Sequence, residues 1–478
     1  MDIQLSIHGH RDLAGQLYRQ LRTAIADERL PAGERLPSTR DLAAQLGVSR
    51  KTTLEAFEQL IAEGYLVARQ GDGTFVADNV AHDHGRREAR NPRAPRPARV
   101  WRRVPSALAM PAPGSTPPID YLGGVTDKTL FPFDAWRRCI AHALRVQARG
   151  RGSYRDPAGE QELRLAIARY VGFSRAVACQ WQQVVVTQGA QQAIDLTARV
   201  MIAPGDTVAV EDPGYPPARA CLLALGARVV PVPVDAQGLV VERLPDDAKL
   251  VYVTPSHQFP LGMPMSLERR LALLAWAARR GALIIEDDYD GEFRFEGRPL
   301  DSLKSLDRAG VVVYVGTFSK TIFPELRIGY AVPPAGLLDA FIKARQINDW
   351  HGCSLTQAAL ARFMLDGHFA RHLRRVQKHY ARRRQALLDH LTGDLAPWFE
   401  PIAPAAGIHL TARLRGGLTE TAVIDAARTR QIGLYGIAGF HAGRQRGQGL
   451  LFGYGDIRLD ALHASMTTLE TVLGKAVG

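Results

Sequence analysis

Cysteine is scarce. The 478 residues hold four, Cys139, Cys179, Cys221 and Cys353, far apart and with no C-x-x-C pair. That argues against a disulfide framework and against a zinc site, and it fits a reducing cytosol. Long uncharged apolar runs are missing too, so no segment reads as a membrane span. The opening "MDIQLSIHGH" lacks the charged-then-apolar pattern of a secretion signal. Repeats of solenoid period are absent. Acidic residues are in deficit, 48 against 60 lysines and arginines, which leaves a net charge of +12. Such a balance suits a polyanionic partner but says nothing about fold. What remains is ordinary for a globular protein, 46% apolar and 23% charged, and long enough for more than one domain.

Composition divides the chain into residues 1–78, a linker over 79–118, and a large domain over 119–478, with a smaller C-terminal subdomain from about 345. The linker contains "GRREARNPRAPRPARVWRRVPSALAMPAPGSTPP", dense in arginine and proline and without apolar period. In the first region Leu13, Leu17, Leu21 and Ile25 recur every four residues, one face of a helix. Ser38 followed by Asp41 signals the next helix start, and Gly47 supplies the turn after it. A third helix is expected from Ser49. Its buried face would be Leu54, Phe57, Leu60 and Ile61, and its polar N-terminal face Arg50, Lys51, Thr52 and Thr53. Two short strands around Gly71-Asp72-Gly73 complete a winged helix-turn-helix, with the third helix placed to read DNA.

The motifs "LPSTR", "LGVSR" and "GDGTFV" resemble those of the GntR-type winged helix over about residues 11–78. The resemblance implies that Ser38, Arg40, Ser49, Arg50, Thr52 and Gly73 contact double-stranded DNA.

The large domain alternates β-rich runs with helical ones, which predicts an α/β fold with a mostly parallel sheet. Runs occur at 184–187, 207–211, 250–254, 282–286 and 311–316, and they are followed by "QGAQQA", "DPGY", "PSHQFP", "DDYD" and "TFSK". In such sheets ligands bind outside the carboxyl ends of the strands. The turn into the helix at Ala190 offers backbone N–H groups to an anion. The hydroxyls of "TFSK", with Arg327, suit a phosphate. A nucleoside triphosphate site is disfavoured, because Ser319 stands where a Walker lysine needs glycine before it. A lysine beside a phosphate site, with an aspartate and an aromatic at other strand ends, suits pyridoxal 5'-phosphate (PLP). No metal site is expected.

"VTPSHQFPLG", "IEDDYDGEFRF" and "YVGTFSKTIFPELRIGY" resemble the fold-type I aminotransferase domain in the form fused to a GntR head, the MocR/GabR-type regulators. The resemblance implies that Lys320 carries the cofactor as a Schiff base. It further implies that Asp287 pairs with the ring nitrogen, that Tyr289 reaches the ring hydroxyl and that Tyr215 stacks on the ring. Ala190, Gln191, Thr317, Ser319 and Arg327 would hold the phosphate. Tyr154 matches a tyrosine lent by the partner subunit of a homodimer, and His257 stands where an asparagine usually supports the ring hydroxyl. One departure is plain. The arginine that clamps a substrate carboxylate is replaced by Leu451 in "GLLFGYG", and leucine cannot make a bidentate pair.

The reading is therefore a cytoplasmic PLP-dependent transcriptional regulator that senses PLP, an amine or an amino acid and binds an operator with paired half-sites. An active aminotransferase with a DNA-binding head is the alternative, and an inert dimerising domain the third.

Overall fold

The computed structural model describes residues 5–9, 11–78, 96–102, 104–105, 116–296, 301–402, 406–443 and 447–477. The chain forms two compact units, Met1–Arg96 and Pro97–Gly478. Of the stretch read as linker, 79–95, 103 and 106–115 lie outside the described residues; Arg99–Arg102 make a 3-10 turn.

In the first unit α1 (Leu13–Ala26) and α2 (Thr39–Leu46) are followed by α3 (Arg50–Ala62) and a hairpin of β1 (Leu66–Arg69) and β2 (Gly73–Val76). Ser38 caps α2 by accepting from the Asp41 N–H at 3.2 Å, and Ser49 caps α3 by accepting from the Thr52 N–H at 3.1 Å. Gly47 ends α2 at φ 64°, a conformation that favours glycine. The small core joins Leu17, Leu21 and Ile25 of α1 to Ala56, Phe57 and Leu60 of α3.

One expectation about α3 is corrected. Its buried stripe is Thr53, Ala56, Phe57 and Leu60, whereas Leu54 and Ile61 are exposed by 43% and 37%. Residues spaced i, i+3, i+4, i+7 share one face, and the stripe that meets α1 and α2 begins at Thr53, one position before the apolar residue that suggested it. Thr53 is no surface residue: its hydroxyl donates to the Thr39 carbonyl at 2.8 Å and ties α3 to α2.

In chain order the second unit holds β3 (Ile119–Asp120), α4 (Phe133–Gln147), α5 (Gln161–Arg175), β4 (Val185–Thr187), α6 (Ala190–Met201), β5 (Thr207–Asp212), α7 (Pro216–Ala224), β6 (Arg228–Asp235) and β7 (Gly238–Leu239). Then come β8 (Ala248–Val253), α8 (Leu267–Arg280), β9 (Leu283–Asp288), α9 (Leu303–Leu306), β10 (Val312–Thr317), β11 (Gly329–Val332), α10 (Leu338–Asp349), α11 (Ser354–Leu365) and α12 (His368–Thr392). The C-terminal part adds β12 (Phe399–Ile402), β13 (His409–Leu414), α13 (Glu420–Arg428), β14 (Ile432–Gly433), β15 (Tyr435–Gly436), β16 (Gly449–Gly453) and α14 (Leu459–Val477).

The main sheet runs β4-β11-β10-β9-β8-β5-β6-β7. It is parallel except at β11 and the edge strand β7, so the fold is the mixed, mostly parallel α/β arrangement. All five expected strands are present, within two residues at each end. Strands β6, β7 and β11 are additional. Strand β6 carries Pro231 and Pro233, which weaken a strand signal, and it is tolerated one place from the sheet edge.

Helices cover both faces, so the central strands are buried on both sides and read as continuous apolar runs. Alternation divides them between two cores. Leu250, Tyr252, Leu283 and Ile285 pack with α6 and α10, while Val251, Val253 and Ile284 pack with α8. A second sheet, β12-β13-β16-β15, packs one face on α12 and α14. No helix among the described residues is long and apolar enough to cross a membrane.

Candidate functional site

The DNA-facing candidates sit at the start of two helices and on the wing. Arg40 and Arg50 are exposed in the first turns of α2 and α3. Ser38 and Ser49 are the caps described above, and the Ser49 hydroxyl also lies 2.9 Å from that of Thr52. Gly73 opens β2 at φ 115°, and a Cβ there would meet the Arg35 guanidinium at 3.1 Å. On the wing Arg69 lies over the Phe75 ring at 4.5 Å.

In the second unit, strand period brings the expected groups together at the carboxyl ends. Ile285 and Asp287 share the face of β9 that meets Tyr252 of β8, whose register partner is Ile285. The Tyr252 hydroxyl therefore reaches Asp287 and donates to Oδ2 at 2.7 Å. The other carboxylate oxygen, Oδ1, is buried with no partner among the described residues. Burial pushes the Asp287 carboxyl up to about 7, with the Tyr252 hydrogen bond opposing.

Lys320 follows β10. Its Nζ donates to the Gly124 carbonyl at 2.8 Å. A Cβ on Gly124 would lie 2.4 Å from that nitrogen, so the close approach requires glycine. Burial lowers the lysine pKa, Asp290 and Asp287 raise it in part, and Arg327 lowers it further. A lysine held this way is more readily an uncharged amine than a surface one.

The anion end is built from three elements. Gly189, at φ 75°, turns β4 into α6 and leaves the first N–H groups of that helix without intrahelical partners. Arg327, itself at φ 51°, donates from Nη2 to the Gln188 carbonyl at 3.0 Å, and a Cβ on Gly189 would meet that guanidinium at 2.9 Å. Ser319 and Thr317 are buried with their hydroxyl oxygens 3.0 Å apart. Ala190 and Gln191 form the first turn of α6, and the Gln191 amide donates to the Pro217 carbonyl at 3.1 Å.

Tyr215, at the N-terminus of α7, makes an edge contact with Phe259 at 5.5 Å. The Tyr289 hydroxyl lies 2.9 Å from His257 Nδ1, and that nitrogen is also 3.0 Å from Asp290. Tyr154 stands apart. It is 74% exposed, and its ring contacts are with Trp350 at 4.4 Å and His351.

Several residues here had no sequence motif to mark them. His409 of β13 packs on His257 at 4.7 Å, and burial lowers its pKa to about 3, so the imidazole is neutral. Its Nε2 has no partner among the described residues. Asp290, His257 and His409 place ligand atoms within 4.8 Å of one another. The carboxylate is already engaged by His257 and by the Ile408 N–H, which ties it into a hydrogen-bonded cluster. Tyr252 and Gly124 were likewise unmarked, the first being one apolar-strand residue among many.

A carboxylate oxygen without a partner among the described residues, a half-buried lysine, paired hydroxyls and a guanidinium at a helix N-terminus form one donor and acceptor set. They fit a phosphorylated pyridine aldehyde: an acceptor for a ring N–H, an amine for the aldehyde carbon, and donors for the phosphate.

Comparison with known proteins gives the chain's family. The family profile of aminotransferase class I and II matches residues 122–451, and that of the gntR family of bacterial regulatory proteins matches 13–76. The chain is 38% identical over 466 residues to the probable rhizopine catabolism regulatory protein MocR of Rhizobium meliloti, covering 95% of this chain and 92% of that one. It is 32% identical to the pyridoxine biosynthesis transcriptional regulator PdxR of Corynebacterium glutamicum, covering 97% and 96%. It is also 39% identical to the transcriptional regulator TauR of Rhodobacter capsulatus, over 79% of each chain. Among solved structures, the kynurenine aminotransferase of Pyrococcus horikoshii matches 80% of this chain and 99% of its own at 26% identity and a TM-score of 0.70. The aminotransferase class I and II family is PLP-dependent, and GntR-type helix-turn-helix regulators bind DNA. The chain belongs to the GntR family of bacterial transcriptional regulators, in the group that joins the winged helix to an aminotransferase class I and II domain.

Proposed function

We propose that this regulator holds PLP through Lys320 and uses the loaded site to report cofactor or amine levels to its DNA-binding unit. One observation carries the reading: Asp287 Oδ1 is buried without a partner among the described residues, and its carboxyl feels the charge of the half-buried Lys320 amine. A buried acceptor left empty is costly unless something occupies it. When bound, PLP supplies an aldehyde that amines can exchange on and a ring that withdraws electrons.

The chain's own groups would divide the work. Asp287 holds a proton at the ring nitrogen. Tyr289, kept in place by His257 and Asp290, presents its hydroxyl to the ring oxygen. Tyr215 covers a ring face. The first turn of α6 at Ala190 and Gln191, the hydroxyls of Thr317 and Ser319, and Arg327 hold the phosphate. Arg40 and Arg50, with Ser38, Ser49, Thr52 and Gly73 around them, would lie along DNA.

The protein would act as a cytoplasmic homodimer on an operator with paired half-sites. The exposed ring of Tyr154 is available to complete a second copy's site. An effector shifts such an arrangement only by its difference in affinity for two states. The test of the cofactor site is spectroscopic. Wild type incubated with PLP should gain a visible band, and borohydride should fix the cofactor on the peptide that contains Lys320. Lys320→Ala should show neither, and a borohydride-fixed adduct that persists in that variant would refute the assignment.

A further inference from the structure

The face of the second sheet that meets the Lys320 pocket has an unusual composition for a site of amino-acid chemistry. Register fixes which residues lie on it. Thr411 pairs with Leu451 and His409 with Gly453 across β13 and β16. Directly opposite residues share a face, and so do residues two apart. The alternate residues Leu410, Ala412, Leu450 and Phe452 all belong to the core packed on α12 and α14. The other face, with His409, Thr411 and Leu451, therefore turns toward the pocket.

Contacts agree. The Thr411 hydroxyl donates to the Pro260 carbonyl at 2.5 Å, and His409 packs on His257 and on Phe259. Leu451 reaches to 2.7 Å of where a Gly123 Cβ would be, one residue from the Gly124 carbonyl that receives Lys320. Arg413 is the next residue on this face, and it is exposed.

The remaining wall is aromatic. Phe259 is in ring contact with Tyr215, Tyr289, His409 and Phe440, the last at 5.0 Å. The charges near Lys320 are mostly negative, Asp287 and Asp290, and Arg327 is committed to the anion end. A carboxylate brought in beside Leu451 would lose water, meet no guanidinium among the described residues there and face like charge. An amine without that carboxylate has only its nitrogen to desolvate and deprotonate, and that single polar group would then meet the aldehyde carbon.

We propose that the effector of this site is a primary amine with no carboxylate on its amine-bearing carbon and with an uncharged apolar or aromatic body. The inference rests on the reading that Lys320 holds PLP. In the exchange one C=N bond forms to the incoming nitrogen as the C=N bond to Nζ breaks. Lys320 departs with the two hydrogens the amine brought, so no oxidant or reductant is needed. Leu451 acts here by excluding the alternative, and His409 offers its open Nε2 to a hydroxyl or ring N–H on the amine body.

The experiment uses full-length protein loaded with PLP and two matched pairs, phenethylamine against L-phenylalanine and 3-methylbutylamine against L-leucine. The shift of the visible band gives a half-saturating concentration for each. Each value is divided by that for free PLP, which removes the intrinsic reactivity of the compound. The amine of each pair should be favoured by at least about tenfold. Equal or reversed ranking overturns the inference, and so does a band that none of the four compounds shifts. A band that never forms defeats the cofactor reading itself, which is a separate failure. In loaded Leu451→Arg the amino acids should gain on their amines by about tenfold or more, since the guanidinium can then pair. A loaded variant that ranks both pairs as wild type does would remove Leu451 from this role.

Discussion

The Tyr252 hydroxyl donates to one oxygen of Asp287 and leaves the other buried without a partner among the described residues. In the cofactor-free protein this carboxyl titrates near 7, because burial disfavours its charge. An acid raised in the folded state stabilises by staying protonated. That contribution is lost as pH climbs from the ordinary carboxylate value through about 7. Cofactor-free wild type should therefore lose stability between about pH 4 and 7. Asp287→Asn, which has no charge to bury, should flatten that loss by on the order of 1–3 kcal/mol. Thermal melts across this range check it, and equal slopes for the two proteins would show that Asp287 does not titrate there. Glu211, Glu286 and Glu292 are also pushed to about 7 by burial, so some slope should survive in the variant.

Asp287→Ala should also weaken PLP retention, because the ring nitrogen would lose its proposed charged acceptor. Dialysis of the loaded protein against cofactor-free buffer measures this. Retention equal to wild type would take Asp287 out of that role.

In the DNA-binding unit the α3 stripe makes two neighbours very unequal. Phe57→Ala empties a core position and should cost about 3–5 kcal/mol. Leu54→Ala, one turn round the helix and 43% exposed, should cost less than about 1 kcal/mol. Melts of the two variants check the phase of the helix, and comparable losses would mean that Leu54 is packed.

Arg40 and Arg50 are exposed at the helix starts, the positions that meet DNA in a winged helix. Alanine at either should reduce affinity for a duplex selected from a random pool by about 1–3 kcal/mol where it reads a base edge. Fluorescence anisotropy over a salt series separates base readout from phosphate contact, since loss of a phosphate contact alone lowers the salt slope. Wild-type affinity and slope for both variants would displace the reading surface from these helix starts.

Lys320, Asp287 and the fold were legible because parallel strands are apolar runs that stop abruptly. The polar residue after each stop is then conspicuous. The rest depends on pairing that local pattern does not carry. His409 becomes a neighbour of the Lys320 site only through the register of β13 on β16, whereas Leu451 was marked by the resemblance. Tyr252 shares a face with Asp287 only once β8 lies beside β9. In α3 the apolar letters Leu54 and Ile61 pointed to one stripe while the packed one begins at Thr53, a polar residue whose hydroxyl is satisfied by a neighbouring helix. Strand β6 was hidden by its two prolines.

Control of DNA binding by the cofactor site is open to a single experiment. The most direct measurement is the affinity and footprint on one selected duplex for wild type and Lys320→Ala, each with and without PLP. PLP should change the affinity or the footprint of wild type and leave Lys320→Ala unchanged. Identical affinity and footprint for cofactor-free and loaded wild type would contradict it, and would leave the larger unit as an inert dimeriser.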